Sequence, residues 1–168
     1  MPLDINGYNA TFRKFANFAQ AEVDAGRQKS IADAGVKAVP EDLGDAFEAV
    51  NAALAETGIC ALVQLPRFAP SSNAAKNAVG VATVAVVVTE IPQTNREQAG
   101  HVNALSAAER IAWLLNLSKP APADPRCDVL VLDAQGVQPE PQADGRGLVV
   151  GVTFKWQHQI LGTPPSTY

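Results

Sequence analysis

The sequence is poor in charge, in histidine and in cysteine, and each shortage removes a class of function. Charged residues make up 18% of the 168 positions, against 47% hydrophobic, a low share of charge for a soluble globular chain. A surface so sparingly charged leaves room for contacts between subunits. The net charge of −4 is the opposite of the basic stripe that nucleic-acid readers carry. No sequence-specific nucleic-acid partner is therefore expected. Histidine occurs twice, at His101 and His158, and neither has a second His or Cys at metal-ligand spacing. His158 is expected near the surface at a strand end. Ser71-Ser72 lacks the glycine-flanked elbow of a hydrolase serine. "AVGVA" and "DGRGLVVG" read as a turn and a bulge, because neither precedes a helix with phosphate-cradling spacing. The expectation is a chain with no catalytic residues, no cofactor and no enzymatic activity. Cys60 and Cys127 are the only cysteines; both lie in apolar runs and read as buried thiols. The first residues, "MPLDINGYNATF", carry neither a basic leader nor an apolar signal core, so no secretion is expected.

What the chain does have is one long valine-rich segment. "VATVAVVVTEIPQTNRE" occupies positions 81–97, and its apolar part falls short of the roughly 20 residues of a membrane helix. Valine favours a strand, which over 79–91 would span roughly 40 Å. Val84, Val86 and Val88 fall on one side, and Val81, Ala85 and Val87 on the other. A strand apolar on both faces is covered twice, or keeps one face for a partner.

Around it the chain reads as helices and strands in turn. A first helix is expected from Asn9 or Thr11, with Phe12, Phe15, Ala19 and Val23 on one face and Phe18 beside them. "RQKSIADAGVKAV" reads as an irregular connection. A second helix is expected from Pro40, with Leu43, Phe47, Val50 and Leu54 on its apolar face and Gly58 as a left-handed stop. "ICALVQL" is strand one, and "PRFAPSSNAAKNA" reads as a polar loop with Arg67 and Lys76 as its charges. After strand two, "LSAAERIAWLLNL" is a third helix with a Ser106–Glu109 capping box. Trp113 lies off its apolar face and is the first candidate for an intersubunit contact. "CDVLVLD" is strand three, the segment 133–147 a long turn, and "LVVGVTFKWQHQI" a strand with Leu148, Val150, Val152, Phe154, Trp156 and Ile160 facing one way. The result is a single α+β domain over 1–168 with a tail from about 161. Its sheet is expected to be mainly antiparallel, four strands in two hairpins packed against helices, in the order α-α-β-β-α-β-β.

Glu90 continues the Val84–Val86–Val88 face, where a buried, unpaired acid is costly. The sequence offers Arg96 as a partner, or an arginine from a neighbouring subunit; the alternative is a strand end emerging into water. If Glu90 determines an interface, Glu90→Ala should weaken assembly while the monomer stays folded.

The long Val-rich strand ending in Glu-x-Pro-x-x-Asn-Arg, the helix "SAAERIAWLLNL" and the final "VGVTFKWQHQI" together resemble the tail-terminator (tail-completion) and related minor tail proteins of long-tailed bacteriophages. The resemblance follows element order over residues 9–160. It implies a structural virion protein, assembled in the bacterial host cytoplasm, that joins copies of itself into a ring, commonly of six. Such a ring ends the tail tube and meets the head–tail connector or stopper protein. The partners it implies are thus the chain itself, the tail tube protein and the connector, with no membrane. Candidate interface residues are Glu90, Asn95, Arg96, Trp113, Arg67 and Lys76, the last two on the loop over 66–78. Another head–tail adaptor or baseplate subunit, or a bacterial small-molecule-binding module, would also suit an α+β chain of this kind.

Overall fold

The structure, a computed structural model, describes residues 14–20, 36–41, 44–74, 77–96, 102–119, 129–141 and 147–161. Two strands of 14 residues form its spine. They are β4 (Asn77–Glu90) and β6 (Leu148–Leu161), paired antiparallel from Asn77 opposite Leu161 to Glu90 opposite Leu148. Strand alternation places Ala82, Val84, Val86 and Val88 of β4 on the same side as Val150, Val152, Phe154 and Trp156 of β6, and all eight are buried. The opposite side of β4, from Thr83 through Ala85 and Val87 to Thr89, is only half-buried.

Four further strands complete a six-stranded sheet in the order β1-β2-β4-β6-β5, with β3 also on β4. β2 (Ile59–Val63) pairs with the last five residues of β4. β3 (Arg67–Ala74) pairs with its first seven, so β2 and β3 follow one another along the same side of β4. β1 (Lys37–Pro40) runs parallel to β2, and β5 (Val131–Pro141) runs antiparallel to β6.

The inner face of this sheet is roofed by two helical segments. α1 (residues 14–20) contributes Phe15, Ala16 and Ala19, and Phe15 stacks on Trp156 with ring centroids 6.0 Å apart. α4 (Ala104–Leu115) buries Ala104, Ala107, Ala108, Ile111, Ala112 and Leu115. Those steps of three, one, three, one and three residues make one stripe of a 3.6-residue helix. α2 (Ala46–Thr57) lies on the outer face instead. There its Ala53 and Leu54 form a second cluster with Val39 and Cys60, joined by Ala46, Ala49, Val50, Leu62 and Ile91. Among the strands, α2 packs chiefly on β1 and β2, at one end of the outer face.

The sheet is thus mainly antiparallel, but it is larger than the four strands expected. Residues 37–40 form β1 where an irregular connection was expected, because parallel pairing with β2 supplies hydrogen-bond partners that local sequence does not advertise. Pro40 ends this strand instead of opening a helix, a position where its missing N–H is harmless. The polar stretch over 66–78 is not a loop: residues 67–74 pair with β4, with a register shift between Pro70 and Ser72. A weak strand former is carried there by a long, strong neighbour. β5 likewise runs to Pro141, across a register shift between Leu132 and Val137 that contains Gly136 at φ 63°. Phe12, Val23, Cys127, Lys76 and His101 lie outside the described residues.

α2 also turns its expected face away. Its buried stripe is Ala46, Ala49, Val50, Ala53 and Leu54, which leaves Phe47 78% exposed. Alanines let the helix axis approach β1 and β2 closely, and a phenyl ring would hold it off. Gly58 does end the helix in the left-handed region, at φ 75°, with its N–H donating to the Leu54 carbonyl oxygen.

Cys60 is a buried free thiol whose Sγ donates to the Lys37 carbonyl oxygen at 3.4 Å. Burial pushes its pKa from 9.0 up to about 11, only partly opposed by the charge of Lys37. A raised folded-state pKa stabilises the fold below the unfolded value and loses that contribution as pH rises through the folded one. Between about pH 9 and 11 the protein should therefore lose on the order of 2 kcal/mol more than a Cys60→Ala variant does. Parallel stability–pH curves for the two proteins in urea titrations would contradict this.

Candidate functional site

The most constrained polar group is Glu90, the last residue of β4, with 4% of its surface exposed. Its two carboxylate oxygens are both occupied from within the chain. Oε1 accepts from Asn95 Nδ2 at 2.9 Å. Oε2 accepts from the backbone N–H of Ala104 at 2.7 Å. Asn95 Nδ2 also donates to the Val102 carbonyl oxygen at 2.8 Å.

Short-range chemistry explains why these groups meet. Pro92 opens the single-turn helix α3 (Pro92–Arg96), where its missing N–H costs nothing. The turn brings Asn95, 1% exposed, back under the strand end. Ala104 is the first residue of α4, so its N–H is one of the unpaired donors that every helix start presents. A carboxylate there satisfies the donor and complements the positive end of the helix. The cap is Asn103, whose Oδ1 accepts from the Ser106 N–H at 2.8 Å. The helix therefore begins earlier than a Ser106 cap would allow.

Gly58 closes the latch from the other side. Its carbonyl oxygen accepts from the Ile91 N–H at 2.8 Å, and α3 lies directly on it. A Cβ at Gly58 would stand 2.3 Å from the Asn95 backbone nitrogen and 2.7 Å from its Cα. The Glu-x-Pro-x-x-Asn pattern is thus a folding device that joins β4, α3 and α4.

The six candidate interface residues separate accordingly. Glu90 and Asn95 come together, and both are buried inside the protomer. The expected arginine partner of Glu90 is replaced by an amide side chain and a helix N–H. Arg96 and Arg67 are exposed, at the end of α3 and the start of β3. Trp113 stands out from α4, 67% exposed. His158 departs from expectation in the other direction. It is buried, with its ring edge-on to Trp156 and Phe68.

Trp113 belongs to a patch. The Arg110 guanidinium carbon lies 4.6 Å from its ring centroid, a cation–π arrangement. Leu117, four residues on, is 71% exposed and sits at φ 62°, a conformation that costs leucine roughly 1–2 kcal/mol. The conformation is held by hydrogen bonds across to the start of β5: Leu117 N–H donates to the Leu130 carbonyl oxygen, and Leu130 N–H to that of Ser118, each at 2.9 Å. Asn116 Oδ1 also accepts from the Leu132 N–H. A second exposed ring, Phe47, stands on α2 on the other side of the sheet, beside exposed Asp45 and Glu48. Sequence reasoning assigned Phe47 to the core. The signal that would have placed it outside is the Ala46-Ala49-Val50-Ala53-Leu54 stripe, which is complete without it.

The open part of the outer face holds a shallow groove of about 230 Å³ around Gly151, between Gln64, Ala85, Val87, Gln138, Glu140 and Thr153. Gly151 lies opposite Val87 of β4 and Gln138 of β5. Beside it Lys155 pairs with Asp133 at 3.3 Å. The carboxyl of Asp133 is held below its ordinary range by the Gln135 N–H and then by that lysine. Among the described residues no group of His, Cys, Asp and Glu could hold a metal ion. No helix among them is long and apolar enough to cross a membrane.

No protein-family model matches the chain, and no curated protein does. Among solved structures, the chain is similar to one chain of the virion of a native gene transfer agent (GTA) particle, at 13% identity and a TM-score of 0.46, covering 85% of this chain and 94% of the other.

Proposed function

We propose that the protein is a structural virion component, a tail terminator whose copies form a ring on the end of a tail tube and meet the head–tail connector. The observation that supports this best is how the chain spends its unusual residues. The buried polar constellation Glu90–Asn95–Ala104 serves the protomer's own integrity. Large apolar side chains (Phe47, Trp113 and Leu117) are turned to solvent on both sides of the sheet, as interaction surfaces are. The sequence resemblance carried by the Val-rich strand and Glu90-x-Pro92-x-x-Asn95-Arg96 points the same way. In this reading the chain binds no cofactor and catalyses nothing. Its partners are itself, in a ring of six, the tail tube protein and the connector.

Mass spectrometry of purified particles from the source of this chain should find the protein as a low-copy component. Particles made without it should carry tails of unregulated length. Normal tails in its absence would end the terminator reading.

The groove around Gly151 favours a second reading, a small-molecule-binding module. An added Cβ at Gly151 would meet no atom within 4 Å, so Gly151→Val fills the groove without disturbing the sheet. On this reading a ligand raises the melting temperature of the wild type, and the valine variant loses that rise. On the virion reading Gly151→Val leaves tail length unchanged.

A further inference from the structure

We propose that the two exposed aromatic patches are the two halves of one self-interface, so that the α4 patch of each copy docks on the α2 patch of the next. This rests on the ring reading above and specifies how the ring is joined. The α4 patch presents Trp113 and Leu117, with Leu105 exposed about two helical turns before Trp113. Its charges are Arg110, over the Trp113 ring, and Glu109 beside it. The α2 patch presents Phe47, with Asp45 and Glu48 exposed around it, and α2 contains no basic residue.

Charge and position together select the mode of docking. Pairing α4 with α4 would bring Arg110 to Arg110 unless the helices shift to set it against Glu109. Pairing α2 with α2 would oppose Asp45 and Glu48 to their own copies, with no basic residue on α2 to answer them. Pairing α4 with α2 places a guanidinium against two carboxylates, and an indole and a leucine against a phenyl ring. Like charges facing each other are costly and opposite ones direct the encounter. The two patches lie on opposite faces of the sheet, since α4 packs on the inner face and α2 on the outer. An interface between different patches of identical subunits is head-to-tail, and it closes into a ring when the rotation allows. The costly backbone of Leu117 has a purpose in this arrangement, because strain of that kind persists where the surroundings hold it for use.

Sedimentation of four surface variants tests this. Phe47→Asp and Trp113→Asp should each weaken association by at least about thirtyfold, the effect of losing one interface anchor. Each variant keeps one intact patch. An equimolar mixture should therefore give a dimer and nothing larger. Glu48→Arg and Arg110→Glu should each stay dissociated alone and assemble to the wild-type size when mixed, since every contact in an alternating ring then pairs opposite charges. That rescue also shows that both variants fold. Variants that assemble as the wild type does would overturn this interface and leave the terminator reading standing. A mixture of the two aspartate variants that remains monomeric would also overturn it, as would a wild type that does not self-associate. The terminator reading fails separately, through normal tails on particles that lack the protein.

Discussion

Replacing Glu90 by alanine is expected to destabilise the folded protomer by about 3–4 kcal/mol, because two buried donors lose the carboxylate that accepts from both. Asn95 Nδ2 would keep the Val102 carbonyl oxygen, but the Ala104 N–H, at the buried start of α4, would keep nothing. Glu90→Gln should recover only part of the loss. Its single amide oxygen can serve one donor, and its NH₂ then faces the other. Asn95→Asp should be nearly as damaging as Glu90→Ala, since it sets a second carboxylate against the first. Urea denaturation of the three variants and the Glu90→Ala/Asn95→Ala double variant gives the measurement. The double-variant cycle should show a coupling of about 1–2 kcal/mol. Additive losses would mean that the two side chains do not act as one latch. The expectation from sequence alone, a Glu90→Ala monomer that stays folded but assembles poorly, is thereby revised. Any loss of assembly in that variant has to be separated from loss of the fold.

Gly58→Ala should cost about as much, roughly 3 kcal/mol net, and two separate terms contribute. A non-glycine residue at φ 75° loses about 1–2 kcal/mol. The added methyl would stand 2.3 Å from the Asn95 nitrogen and 2.8 Å from the Thr94 carbonyl carbon. These are backbone atoms that cannot rotate away, so α3 must shift, at about 1–3 kcal/mol for an overpacked site. The smaller conformational freedom of unfolded alanine returns about 0.4–1 kcal/mol. For a chain of this size the melting temperature should fall by about 6–12 °C. Because α3 carries Asn95, the change should also be non-additive with Glu90→Ala. A melting temperature within 2 °C of the wild type, against that expectation, would show that α3 yields without loss. Gly136 offers an internal comparison. It too has a positive φ, but a Cβ there meets nothing within 4 Å, so Gly136→Ala should show the conformational term alone.

How much of this could be read beforehand depended on the range of the interaction that decides each feature. The sequence by itself determined whatever depends on near neighbours. The valine alternation over β4 and the even-numbered apolar side of β6 follow from the two-residue period of a strand. The stop at Gly58 follows from the left-handed backbone that glycine takes without cost. Trp113 lies outside because a 3.6-residue period leaves no other place for it beside Ile111, Ala112 and Leu115. The tertiary structure decided whatever needed a partner distant in sequence. Residues 67–74 became a strand because β4 was there to pair with them, and 37–40 because β2 was. Phe47 was excluded from the core because α2 packs on the sheet through the stripe Ala46, Ala49, Val50, Ala53 and Leu54, which leaves Phe47 to one side. Glu90 shows the division within a single residue. Its place on the buried side of β4 was legible, but its partners were not. A carboxylate can be satisfied by an arginine, an amide or a helix N–H, and only the turn of α3 that brings Asn95 and Ala104 to its two oxygens selects among them.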